Sequence, residues 1–152
     1  MNLKPVFEKA AQDYVKRIRE NLSQTGTDAS GKTSQSVSYR ATESGFEVVG
    51  GREFFPTVET GSKPSTKKPG RKMIESISLW KEIRSLQASP WAIAVSILKR
   101  GSSLWRKGGR KNIYSNVRAD AQKEVPELIG KALRRDVLNK VKREKNKELI
   151  TA

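Results

Sequence analysis

Residues 26–33 read GTDASGKT, and the meaning of those eight letters decides the fold. They satisfy G-x-x-x-x-G-K-[ST], the pattern of a loop that cradles nucleotide phosphates. Such a loop follows a strand, which aims it, and opens a helix, whose first N–H groups and partial positive charge face the phosphates. Here the flanking order is reversed. Upstream, Val6, Phe7, Ala10, Ala11, Tyr14, Ile18 and Leu22 recur at steps of three and four, which predicts an amphipathic helix over about 5–22 with Pro5 in its first turn. Downstream, Val37, Tyr39 and Ala41 alternate with Ser38, Arg40 and Thr42. Glu43-Ser44-Gly45 can turn, and Phe46 and Val48 flank Glu47. That is a β-hairpin with one buried face. GTDASGKT therefore joins a helix to a sheet, inside a polar loop over 23–35. A magnesium-binding acid at the end of a second apolar strand is also missing, because the best apolar run, WAIAVSIL at 91–98, ends in Lys99-Arg100. No nucleotide is expected at Lys32 and Thr33.

Beyond the hairpin, Gly50-Gly51 ends the sheet pattern. Phe54, Phe55 and Val58 follow, and Pro56 argues against a central strand, leaving a strand edge or a short helical turn. A proline-, glycine- and lysine-rich loop, GSKPSTKKPGRK, occupies 61–72. Met73, Ile74, Ile77, Trp80 and Ile83 then resume helical spacing. Ser89-Pro90 suits the cap and first turn of a further helix, Trp91 to Arg100, closed by Gly101. WAIAVSIL reads as a buried core helix, and Trp80 and Trp91, on helical stripes, are expected in the core. A second basic glycine loop, GSSLWRKGGRKN, covers 101–112. Val125, Ile129, Leu133, Val137 and Val141 step by fours along a final helix, with Lys131, Arg134, Arg135, Lys140, Lys142, Arg143, Lys145 and Lys147 on its other faces. The expected class is α+β: a small antiparallel sheet packed by an N-terminal helix and two or more central helices, with a basic C-terminal helix. The expected division is an α+β domain at 1–124 and a basic extension at 125–152.

Among 152 residues there is neither cysteine nor histidine. Thiolate metal sites and disulfides are excluded, and the usual general base, zinc ligand and near-neutral pH switch are missing. No apolar run approaches the ~20 residues of a membrane helix, and the amphipathic, acid-containing N-terminus is no secretory signal. Glu43 and Glu47, together with Glu53 and Glu59, are the carboxylates to weigh as a metal or catalytic set, but no third ligand stands at a diagnostic spacing. The expectation is a protein that is not an enzyme and carries no cofactor or metal.

The charge is uneven. Residues 1–59 hold eight cations and eight acids, so the whole net charge of +15 lies in 60–152. No acid separates Glu82 from Asp120, while Arg84, Lys99, Arg100, Arg106, Lys107, Arg110, Lys111 and Arg118 lie between them. Such asymmetry points to a polyanionic neighbour, either nucleic acid or an acidic protein surface. The candidate contacts are Lys63, Lys67, Lys68, Arg71 and Lys72 in the first basic loop, and Trp105, Arg106, Lys107, Arg110 and Lys111 in the second. Arg and Trp are the residue types over-represented at interface hot spots.

Three stretches carry a resemblance. ASGKTSQSV leads a glycine loop into the first strand. FFPTVETGSKP runs from an aromatic segment through Glu59 and Gly61 into a basic loop. The third is the run from Gly101 to Tyr114 that contains L-W-R-K-G-G-R-K-N-I-Y. Over about residues 5–120 the chain resembles the minor neck and tail-completion proteins of tailed bacteriophages, which join head to tail. The resemblance implies a virion structural subunit, made in the host bacterial cytoplasm. It would close into a ring with copies of itself and dock between portal or adaptor and tail, without catalytic residues. Packaged genomic DNA is a further partner in this reading, and a non-specific DNA-binding accessory protein is the alternative to it.

Overall fold

The computed structural model describes residues 2–28 and 30–151, with side chains to residue 146, so Ala29 of the glycine loop and the Lys147 side chain lie outside the described residues. Helix α1 (Lys4–Gln24) opens the chain with Pro5 in its first turn. A single helical turn, α2 (Lys32–Gln35), interrupts the predicted polar loop. Strands β1 (Val37–Ala41) and β2 (Phe46–Gly50) form the antiparallel hairpin that the alternation predicts, with Val37 opposite Gly50 and Ala41 opposite Phe46. The segment around Pro56 resolves to a helical turn, α3 (Thr57–Thr60). Helices α4 (Arg71–Ile83) and α5 (Pro90–Arg100) follow, then a turn, α6 (Ser103–Arg106), inside the second basic loop. The last helix, α7 (Ser115–Thr151), begins well before Val125, so the expected 124/125 division falls inside one helix.

The architecture is α+β, with a two-stranded sheet and helices around it. One face of the hairpin packs on α1, and the first turns of α7 close the same core. Tyr14, Ile18, Leu22, Val37, Ile113 and Val117 are buried there, with Phe46, Val48 and Val125 packed against them. Complete burial of one such aliphatic side chain is worth roughly 1.5–3 kcal/mol. The Tyr14 and Phe46 rings stack with centroids 5.6 Å apart.

Helices α1 and α7 run antiparallel. Asn21 Nδ2 donates to the Ile113 carbonyl at 2.9 Å, and Arg17 Nη1 donates to Glu124 Oε1 at 3.1 Å. The Tyr14 hydroxyl donates to Glu124 Oε2 at 3.0 Å. Burial, the Glu124 hydrogen bond and the Glu124 charge push that phenol up to about 12. Beyond Glu124 an open groove separates the helices, lined by Val6, Ala10, Leu128 and Ala132 among others. Pro126 sits inside α7 at this point. Past Arg135 the side chains of Val137, Leu138 and Val141 are exposed, and the helix itself runs on to Thr151.

Two expectations are corrected in α4 and α5. These helices pack mainly on each other, burying Ile77 and Ala94. Of WAIAVSIL only Ala94 is buried, and Trp91 is 52% exposed. Trp80 is 40% exposed, with Ile83 and Leu86 beside it in sequence also exposed. The apolar stripes are real, but a pair of helices covers only the sides that face each other. Ser89 also makes no side-chain cap hydrogen bond at the start of α5.

Candidate assembly surface

A buried carboxylate just before the first basic loop holds the segment that follows the second. Glu59, on α3, is 2% exposed. Its Oε1 accepts the N–H groups of Ile113, Tyr114 and Ser115 at 2.8, 2.7 and 2.9 Å, and its Oε2 accepts the Ser115 hydroxyl. These are the otherwise unpaired donors at the start of α7, where the helix dipole favours an anion. Burial alone pushes the Glu59 carboxyl up. The Ser115 hydroxyl and the three N–H groups outweigh it and hold the carboxyl below its ordinary range. The Glu59 carbonyl also accepts the Arg110 N–H at 2.8 Å. Side chain and backbone of one residue thus fix 110–115. Weighing Glu59 with Glu43, Glu47 and Glu53 only as a metal or catalytic set missed this role.

Ser62 and Ser102 complete the junction. The Ser102 N–H donates to the Ser62 carbonyl at 2.9 Å, and the Ser62 N–H donates to Ser102 Oγ at 3.0 Å. The Trp105 N–H donates to the same Oγ at 3.2 Å, capping α6. One residue along, Gly61 has φ +72°, and a Cβ there would lie 2.4 Å from Trp105 N. Only glycine permits both that backbone angle and that approach.

The candidate contact residues separate into three places. Trp105 (37% exposed), Arg106, Lys107 and Lys111 stand on the surface of the loop held by Glu59, with Lys63 exposed next to Ser62. Arg110 differs: it is half-buried, and its Nε is enclosed without a hydrogen-bond partner. Lys67 and Lys68 line a groove with Trp91, Val95, Leu98 and Lys99, where the Ser65 N–H donates to the Leu98 carbonyl at 2.7 Å. Lys72 lines another groove with Lys32, Arg52, Phe54 and Trp80. Arg71, beside it in sequence, is engaged by Glu75 at 2.7 Å.

GTDASGKT is arranged as a linker. Asp28 Oδ1 accepts the Thr33 N–H at 3.1 Å, and Oδ2 accepts the Ser34 N–H at 2.6 Å. The chain's own carboxylate occupies the donors that a phosphate-binding loop offers to phosphate. Burial pushes Asp28 up, but the Ser34 and Thr33 hydrogen bonds prevail and lower it. The loop is also tied to the C-terminus of α4, where Arg84 Nη2 donates to the Gly26 carbonyl at 2.9 Å.

Among the described residues no cluster of three acids, histidines or cysteines is placed to hold a metal ion, and no helix is long and apolar enough to cross a membrane. No family model, curated protein or solved structure matches this chain.

Proposed function

We propose that the chain is a structural subunit of the head-to-tail connector of a tailed bacteriophage, a neck-ring protein that docks between portal or adaptor and tail. The observation that carries the reading is the Glu59 junction. It spends a buried carboxylate, three helix-terminal N–H groups and a serine pair on holding a cationic, tryptophan-bearing loop in one conformation. A loop made rigid in advance loses less freedom when it docks. Its outward side chains, Trp105, Arg106, Lys107 and Lys111, suit an acidic protein neighbour. Trp80 and Trp91 offer further aromatic area at the surface.

Native mass spectrometry and negative-stain microscopy test this reading, on the chain alone and with a neck partner. Discrete closed oligomers are expected. Charge reversal at Arg106, Lys107 and Lys111 together should block assembly with the monomer folded, and normal assembly of that variant refutes the assignment. Arg110 is left native because its backbone and guanidinium belong to the fold.

A second reading, a non-specific DNA-binding accessory protein, rests on the distal part of α7. Lys142, Arg143 and Lys145 are exposed there, beyond the end of α1. Duplex DNA should then shift at low salt and be released steeply as salt rises. Salt-insensitive or absent binding removes this reading.

A further inference from the structure

The two-stranded sheet leaves backbone groups open on both outer edges. The Gly51 N–H donates to the Ser36 carbonyl at 2.9 Å, and the Thr42 N–H to the Gly45 carbonyl at 2.7 Å. With Val37 opposite Gly50, these two bonds fix the parity of the ladder. Ser38–Val49 and Arg40–Glu47 are the hydrogen-bonded pairs, and Val37, Tyr39, Ala41, Phe46, Val48 and Gly50 aim their N–H and C=O groups outward. The Val37 carbonyl does face outward, for it accepts from Arg19 Nη2 at 2.8 Å. Phe55 packs against Gly50, opposite Val37 at the same end of the hairpin. From there toward the turn, no hydrogen bond among the described residues reaches the outward groups of Tyr39 and Ala41 on β1 or of Phe46 and Val48 on β2. An open groove runs along the β1 edge, lined by Gln12, Lys16, Arg19, Val37 and Tyr39. Open edges of this kind are templates for another strand.

We propose that β2 of one copy pairs antiparallel with β1 of the next, Phe46–Val48 against Tyr39–Ala41, as the repeating contact of the ring. Charge selects this occupant and this direction. On the exposed face, β1 carries Arg40 and β2 carries Glu47. Setting Val48 against Tyr39 of the next copy, and Phe46 against its Ala41, makes those the hydrogen-bonded pairs. Glu47 then faces Arg40 of the next copy in a non-hydrogen-bonded pair, where side chains approach most closely. Arg and Glu alternate along the whole extended sheet. Two-fold pairing over the same open stretches does the opposite: β2 against β2 centres on Glu47 and opposes it to itself, and β1 against β1 does the same with Arg40. Like charges directly opposite are unfavourable. The favoured contact is therefore head-to-tail, the type that builds rings when the rotation closes.

This inference rests on the ring reading, and the tests separate the two. A chain carrying both Arg40→Glu and Glu47→Arg keeps the cross-strand pair of its own hairpin and the pair with its own kind. Every mixed contact with the native chain opposes carboxylate to carboxylate or guanidinium to guanidinium. In native mass spectra of co-refolded chains, mixed contacts should fall roughly fivefold below random mixing, as expected for one like-charged cross-strand pair. Free mixing into closed oligomers overturns the edge pairing and leaves the ring reading standing. A chain that never assembles, alone or with a neck partner, overturns both. The absence of native cysteine allows a second test. Ser38→Cys and Val49→Cys, introduced in separate chains and combined under mild oxidation, should yield the mixed disulfide dimer several-fold above either homodimer. Predominant homodimers overturn the pairing.

Discussion

Glu59 accepts the N–H of Ser115 at 2.9 Å, across fifty-six residues of chain, and also accepts its hydroxyl. One acid thereby starts the longest helix and fixes the surface loop before it. Glu59→Ala leaves one buried and two part-buried N–H groups without a partner and should cost about 3 kcal/mol in urea denaturation. Glu59→Gln keeps the size but loses the charge and should cost about 1–2 kcal/mol. Amide exchange at 113–115 should accelerate in both, ahead of exchange in α1.

Acid should loosen the fold from the same point. Glu59 and Asp28 both sit below their ordinary values in the folded chain, 4.5 and 3.8. A depressed carboxyl stabilises fully above the unfolded value, and this is lost as pH falls through the folded one. Urea midpoints should hold steady from neutral pH to about 5 and decline as pH falls further, through the ordinary carboxylate values toward the lower folded ones. Glu59→Gln should flatten that decline. Tyr14, raised to about 12, acts in the opposite sense. Its contribution is complete below 10, diminishes between 10 and about 12, and should vanish from the profile in Tyr14→Phe.

Gly61→Ala should be far more damaging than Gly70→Ala. The first adds a methyl 2.4 Å from Trp105 N at φ +72°, and the second meets nothing within 4 Å. Thermal denaturation should show a loss of about 3 kcal/mol for Gly61→Ala and within about 0.5 kcal/mol for Gly70→Ala.

ATP should not stabilise the chain. Asp28 already takes the Thr33 and Ser34 donors, so thermal shifts with millimolar Mg-ATP should be negligible and identical in Lys32→Ala. Asp28→Ala should lower stability by about 1 kcal/mol through loss of a cap-like interaction. Micromolar ATP affinity lost in Lys32→Ala would overturn the assignment of this loop as a linker.

Much of the fold was legible because its periodicities are local. The α1 stripe and the alternation of the hairpin follow from side chains a few residues apart. Exposure was less legible. Trp80 and Trp91 lie on true helical stripes, yet whether a stripe meets a second element depends on helices elsewhere in the chain. The junction was hidden for the same reason. Nothing near Glu59 announces that its partners are backbone N–H groups at 113–115, since backbone donors leave no trace in residue identity. The start of α7 was placed too late because Ser115–Glu124 carries few apolar residues, while Glu59, from outside the segment, caps it.

Pro126 follows Val125, the last α7 residue packed on the core. A proline there withdraws one rung of the helical ladder and crowds the carbonyl four positions back. The helical ladder is therefore one rung short just past the core, and Pro126→Ala should restore that rung and raise the stability of the distal part of the helix.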